Sequence, residues 1–151
     1  MPRRAKLQIG DDTMTEATAD STAKVLVYSD DRTTRRQVRL ALGRRVAGDL
    51  PEIDVLECAT YQAVLRTLDR GGIDLVILDG EAVPLGGMGL ARQLKDEITN
   101  CPPLLLIVAR LADAWLATWS RADAVVSYPI DPERLPRAAA DLLRSRAASA
   151  L

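Results

Sequence analysis

Three carboxylates stand at the ends of short apolar runs in this chain of 151 residues. Asp30 and Asp31 follow the run 24–29 (KVLVYS), and Asp79 ends the run 74–79 (DLVILD). If those runs are neighbouring parallel strands, their carboxyl ends meet at one edge of the sheet and the three carboxylates share a pocket. Carboxylates that lie this close repel one another unless a cation neutralises them, and oxygen-rich pockets of this kind suit Mg²⁺. A carboxylate such as Asp79 can also act as a nucleophile toward phosphoryl groups.

A purely structural role is the alternative for each of these acids. Acidic residues often cap the loops between strands and helices, and either Asp30 or Asp31 would serve as the N-cap of a following helix. That explanation suffices for any one acid taken singly. The presence of three acids at two matched strand ends favours the shared pocket.

The composition of the chain removes most other kinds of active site. Histidine is absent, which excludes serine or cysteine nucleophiles activated by histidine, histidine zinc sites and histidine proton shuttles. Cys58 and Cys101 match neither a metal-ligand spacing nor a disulfide framework, so we expect reduced, partly buried thiols. A net charge of −1 gives no electrostatic case for binding nucleic acid or a membrane surface.

The elements that must position the acids follow from the pattern of apolar residues. Short runs rich in β-branched residues predict strands, and the segments between them have helical composition. The middle runs are apolar throughout, as expected when helices cover both faces of a sheet. Strands are predicted at 24–29, 54–59, 74–79, 103–109 and 124–128, and helices at 33–47, 61–69, 89–98, 113–121 and 132–147.

This alternation predicts an α/β fold with a parallel sheet between two layers of helices. The first strand is not followed by a Gly-x-Gly-x-x-Gly turn, which favours a flavodoxin-like (βα)5 three-layer sandwich over a dinucleotide-binding fold. The expected strand order of the five-stranded sheet is 2-1-3-4-5.

The domain is expected to span residues 24–147, between a disordered N-terminal tail (1–23) and a short C-terminal tail (148–151). The N-terminal stretch has no sustained period of 2 or 3.6, and Met14 within it is an alternative start. The chain has neither an apolar run long enough for a membrane span nor the apolar region of a signal peptide. We therefore expect a cytoplasmic protein without membrane insertion, and its arginine-rich, alanine-rich composition is typical of a GC-rich bacterial genome.

From Lys24 to about Arg146 the chain resembles the receiver domain of two-component response regulators. The resemblance rests on the acids in VYSDD (Asp30, Asp31), on Asp79 in DLVILDG and on the Tyr128-Pro129 step after the fifth strand. It implies that Asp79 is the phosphoacceptor. It also implies a Mg²⁺ ion held by Asp30, Asp31 and Asp79 together with the backbone carbonyl of Glu81.

Three positions depart from the receiver pattern. Ala109 stands where a Ser or Thr normally binds the phosphoryl oxygen, Tyr128 replaces a Lys that pairs with the phosphoryl group, and Val125 replaces the switch aromatic. Each lost donor or cation costs about 2–4 kcal/mol of transition-state stabilisation, so losing both slows phosphorylation at least about a thousandfold. These departures predict an impaired relay and leave both Mg²⁺ binding and phosphorylation of Asp79 open.

Two surfaces are candidates for binding a partner. The first helix carries Arg32, Arg35, Arg36 and Arg39 along one stripe, which is either a solvated face or a docking site for an acidic protein surface such as that of a histidine kinase. No aromatic residue interleaves with these arginines, which argues against single-stranded nucleic acid.

The fourth helix carries the second candidate surface. Trp115 and Trp119 lie four residues apart, with Leu111 and Leu116 close by, and so short a helix cannot bury all of them. Tryptophan is a typical anchor of protein interfaces, so an exposed aromatic patch here would be a docking site.

These observations favour a stand-alone atypical receiver that is not an enzyme. It would act through protein–protein contacts, and a constitutive accessory subunit of a larger assembly is one form of that role. The alternative is a phosphoacceptor response regulator that is phosphorylated on Asp79. A phosphatase with an aspartyl nucleophile is disfavoured, because Glu81 stands where that class has a second Asp.

Overall fold

The chain forms a parallel sheet of five strands in the order β2-β1-β3-β4-β5. A computed structural model describes residues 22–110 and 114–150. The predicted α/β class, (βα)5 topology and strand order are confirmed. The strands are β1 (Ala23–Tyr28), β2 (Ile53–Cys58), β3 (Leu75–Asp79), β4 (Leu104–Val108) and β5 (Ala124–Ser127).

The helices follow the strands one by one, and their ends differ somewhat from the sequence-based bounds. The first ends at Leu42 rather than at residue 47, because Gly43 adopts a φ of 67° and donates its N–H to the carbonyl of Arg39. The last continues to Ala150, past the predicted end at residue 147. The helices are α1 (Arg32–Leu42), α2 (Tyr61–Arg70), α3 (Gly87–Glu97), α4 (Ala114–Ser120) and α5 (Arg134–Ala150).

The core consists of two layers, one on each face of the sheet. Alternate residues of the central strands point to opposite faces, and every residue of β3 and β4 is buried. On one face, Val38 and Leu42 of α1 and Leu135 and Leu143 of α5 pack against the strands. On the other face the corresponding side chains come from α2 and α3, namely Val64, Leu68, Leu90 and Leu94.

The loop between β3 and α3 packs closely against the ends of two strands. A Cβ atom on Gly87 would lie 2.8 Å from the carbonyl oxygen of Asp79, and one on Gly80 would lie 2.6 Å from that of Ile107. Glycine at these positions lets the start of α3 and the loop approach the backbone directly. The acid at the end of β3 therefore lies beneath a tightly fitted loop.

Several expectations fall on residues 1–21, 111–113 and 151, which lie outside the described part of the chain. They are most of the predicted N-terminal tail, the predicted helix start at residue 113 and the position of Leu111. None of the described helices has both the length and the apolar content that crossing a membrane requires.

Candidate functional site

The carboxylate of Asp79 lies at the carboxyl end of β3 and is 5% exposed. Its Oδ2 accepts a hydrogen bond from the Ser29 hydroxyl at 2.7 Å. Its Oδ1 accepts one from the Tyr128 hydroxyl at 2.7 Å and one from the backbone N–H of Glu81 at 2.9 Å. Both oxygens of this buried carboxylate are thus bound by donors of the chain itself.

The sheet order explains how these donors reach Asp79. Ser29 directly follows β1, which pairs with β3, so its short side chain needs only to cross one strand spacing. Tyr128 directly follows β5, and β4 lies between β5 and β3. The N–H of Tyr128 donates to the carbonyl of Val108, which fixes the backbone beside β4 while the long phenol spans to Asp79.

The Ser29 hydroxyl has a fixed direction. Its oxygen accepts the N–H of Asp31 at 3.1 Å while its proton is donated to Asp79. The carbonyl of Ser29 in turn accepts a hydrogen bond from Arg35 at 2.6 Å. Sequence reasoning assigned no role to Ser29, although a polar residue at the very end of an apolar strand was the available signal.

The Tyr128 hydroxyl is a neutral donor. Burial raises the pKa of Tyr128 well above its ordinary value, and the hydrogen bond to Asp79 together with the negative charge of Asp79 raises it further. The phenol therefore stays protonated over the physiological pH range and brings no positive charge to the pocket.

A second tyrosine binds the loop above the site. Tyr28 is buried, and its hydroxyl donates to the carbonyl of Leu85 at 2.6 Å. Burial, followed by the charges of Asp30 and Asp79, raises the pKa of Tyr28. This contact holds the loop between β3 and α3 against the end of β1.

Asp31 and Asp30 bind backbone and hydroxyl groups around the site. Asp31 is the N-cap of α1, where its Oδ1 accepts the N–H of Thr33 at 2.9 Å and its Oδ2 accepts the hydroxyl of Thr34 at 3.2 Å. Asp30 accepts the N–H of Val83 at 3.0 Å. The structural role weighed as the alternative for these acids is the one observed for Asp31.

The arrangement does not fit the Mg²⁺ ion that the receiver resemblance implies. Both oxygens of Asp79 and both of Asp31 already accept hydrogen bonds, as does one oxygen of Asp30. Within residues 22–110 and 114–150, no three or more acidic, cysteine or histidine side chains are grouped so that they could hold a metal ion. Each of the three acids holds a different segment of the chain around the strand ends.

The three positions that depart from the receiver pattern have distinct surroundings. Ala109 is exposed just beyond β4, and its N–H donates to the Glu81 carboxylate at 3.3 Å. Val125 is partly buried in β5 and packs against the core layer beneath α2 and α3. Tyr128, at the position of the family lysine, is bound to Asp79 as described.

The arginine stripe of α1 divides into two pairs. Arg35 and Arg39 both bind the Glu57 carboxylate at the end of β2, with N–O distances of 3.0 and 2.9 Å. The hydrogen bond from Arg35, aided by Arg39, holds the pKa of Glu57 below its usual value against the opposing effect of burial. Arg32 and Arg36 are exposed to solvent.

The aromatic residues of α4 are exposed. Trp115 is 70% and Trp119 is 49% exposed. The guanidinium of Arg92 lies 4.8 Å from the centre of the Trp119 ring, and it donates to the Trp119 carbonyl at 2.8 Å. This cation–π contact leaves the Trp115 side chain as the more accessible of the two.

We predict that removing either hydroxyl from the Asp79 carboxylate destabilises the protein. Tyr128→Phe and Ser29→Ala should each lower the free energy of unfolding by about 1.5–3 kcal/mol, because each removes a hydrogen bond to a buried charge. Urea unfolding followed by circular dichroism measures the change. Tyr61→Phe is the matched control and should change stability by less than about 0.5 kcal/mol. Equal effects of Tyr128→Phe and Tyr61→Phe would contradict the assigned contact.

The stabilisation by Tyr128 should be lost in alkali. The unfolded chain releases the phenolic proton above pH about 10, whereas the folded chain keeps it because the folded-state pKa is raised. The contribution of Tyr128 to the free energy of unfolding is fully present below pH about 10. Above that pH it falls by about 1.4 kcal/mol per pH unit. The stability difference between wild type and Tyr128→Phe, measured by urea unfolding from neutral to alkaline pH, should narrow accordingly. Tyr28 is present in both proteins and cancels, so a difference that stays constant refutes the prediction.

Comparison with known proteins gives relatives of high identity. Two uncharacterised response regulatory proteins of Mycobacterium tuberculosis, MT3230 and Rv3143, are each 56% identical over 124 residues, covering 82% of this chain and 93% of the relative. No protein-family model matches the chain.

Solved receiver structures share the architecture. A response regulator receiver domain protein from Clostridium thermocellum superposes with a TM-score of 0.70 at 25% identity, covering 83% of this chain and 98% of that protein. A response regulator structure from Chloroflexus aurantiacus gives a TM-score of 0.70 at 20% identity, covering 82% and 98%. The relatives share most of their length with this chain and the solved receivers share its sheet topology, so the chain belongs to the receiver domains of two-component response regulators.

Proposed function

We propose that this receiver acts by docking onto a protein partner without a phosphorylation switch, rather than as an enzyme. The observation that carries the proposal is the bonding of Asp79, whose oxygens accept hydrogen bonds from Ser29, Tyr128 and Glu81. Hydrogen bonds to both oxygens withdraw electron density from the carboxylate and so lower its nucleophilicity toward phosphorus. The carboxylate is also 5% exposed, which restricts approach of a phosphodonor.

The chemistry around Asp79 gives further support. Phosphoryl transfer depends on cations and donors aimed at the transferring group. Tyr128 offers a neutral hydroxyl that is already bonded to Asp79, and Ala109 offers a methyl group. Two missing contributions of about 2–4 kcal/mol each correspond to a rate lower by at least about a thousandfold.

The exposed surfaces supply the docking role. The Trp115 indole is largely exposed. Tryptophans that become buried when a partner binds are frequent anchors of protein interfaces. Arg32 and Arg36 present positive charge that suits an acidic protein surface, while Arg35 and Arg39 share the single carboxylate of Glu57. A constitutive accessory subunit of a larger assembly is the form of this role that needs no switching.

Incubation with acetyl phosphate and Mg²⁺ tests the first half of the proposal. Intact-mass measurement should show no gain of one phosphoryl group under conditions that label a receiver with the usual Ser or Thr and Lys. Asp79→Asn is the control for labelling elsewhere. A mass gain in the wild type that is absent in Asp79→Asn would instead support the alternative, a phosphoacceptor response regulator.

Co-purification from the native host tests the second half. Tagged wild-type protein should retain the same partner in stable stoichiometry with and without acetyl phosphate, because docking does not depend on phosphorylation. Trp115→Ala, or the charge-reversed pair Arg32→Glu and Arg36→Glu, should weaken retention at least about tenfold, as expected for loss of an interface anchor or of charge complementarity. The pair Arg66→Glu and Arg70→Glu, at exposed positions four residues apart in α2, is the matched control charge reversal. A strictly monomeric wild type in native extracts, or retention that requires a phosphodonor, would overturn the proposal.

A further inference from the structure

We propose that the Ser29 and Tyr128 hydroxyls occupy the Asp79 carboxylate in place of a cation, so that the acid pocket is bound by its own side chains and needs no divalent metal. This inference rests on the proposed function, in which the pocket does not switch by phosphorylation. Its test measures metal binding, whereas the tests of the proposed function measure docking and phosphoryl transfer. The inference can therefore fail while the proposed function holds.

The first support is the charge balance at Asp79. None of the ion pairs found within the described ranges includes this buried carboxylate. Its negative charge is instead met by two hydroxyl donors and one backbone donor at 2.7–2.9 Å. Two or three such hydrogen bonds stabilise a carboxylate in its charged form without a cation.

The second support is that each hydroxyl is held in place. The Ser29 oxygen accepts the N–H of Asp31, so its proton is directed at Asp79. The backbone of Ser29 is fixed by its N–H to the carbonyl of Cys58 and by its own carbonyl to Arg35. Because the donors are already held in position, their hydrogen bonds to Asp79 form without further loss of conformational entropy. A metal ion at Asp79 would have to displace these bonds.

The third support is that the neighbouring acids and the loop are committed to other partners. Asp31 caps α1 with both oxygens, and Asp30 binds the N–H of Val83. Glu81 is held at two points, by its N–H to Asp79 and by its carboxylate to the N–H of Ala109. A divalent ion prefers several oxygen ligands, and at this site it would have to share them with the cap and the loop.

Titration with Mn²⁺, read by the electron paramagnetic resonance signal of the free ion, tests the assignment. Wild type and Asp79→Asn should leave the same amount of free Mn²⁺ over the micromolar to millimolar range. The double variant Ser29→Ala, Tyr128→Phe removes both hydroxyl donors from Asp79, leaves the N–H of Glu81 in place and adds no ligand. It should bind one Mn²⁺ per chain at least about tenfold more tightly than wild type, a change of about 1.4 kcal/mol. Mg²⁺ should displace that ion, and adding Asp79→Asn to the double variant should abolish the site.

Two results would overturn the proposal. One is a Mn²⁺ site in the wild type that Asp79→Asn removes, which would show that the hydroxyls do not replace a cation. The other is a folded double variant that gains no site. Circular dichroism and cooperative urea unfolding establish folding, and if the double variant is unfolded, Ser29→Ala alone and Tyr128→Phe alone are titrated under the same criteria.

Discussion

The buried negative charge of Asp79 is the constraint around which the carboxyl edge of the sheet is arranged. A carboxylate that is 5% exposed at the end of a central strand loses most of its hydration, and that loss must be offset by hydrogen bonds. The donors come from the end of β1, from the end of β5 and from the loop after β3. One charge thereby draws three separate segments of the chain together.

The proposed binding of Asp79 by hydroxyls in place of a cation bears on conformational switching. A two-state protein shifts its equilibrium only when a ligand binds one state better than the other. Here the Asp79 carboxylate is bound by Ser29 and Tyr128. The residue just beyond β4 is Ala109, which has no hydroxyl that could move to bind a phosphoryl oxygen. Under the proposed function, the pocket keeps a single arrangement and the surfaces of the receiver stay constant.

The sequence predicted the fold and the location of Asp79 but not the bonding around it. Continuous apolar strands and their spacing determine the topology, and the topology places Asp79 beside the end of β1. The reach of Tyr128 across β4 depends on side-chain direction, which residue types alone do not give. The division of the arginine stripe likewise depends on the register that pairs Val27 with Glu57, because only that pairing puts Glu57 beneath α1.

The contacts of Arg35 connect the acid pocket to the surface of α1. Its guanidinium binds the carbonyl of Ser29 and the carboxylate of Glu57, while Asp31 caps the same helix and donates its N–H to Ser29. The position of α1, and with it the exposed Arg32 and Arg36, is thus fixed by the residue that binds Asp79. These bonds give the strand-end acids a structural purpose that does not depend on phosphoryl transfer, because they hold a candidate docking face in one position. An acid pocket of the receiver type can therefore stabilise the fold itself, apart from any relay chemistry.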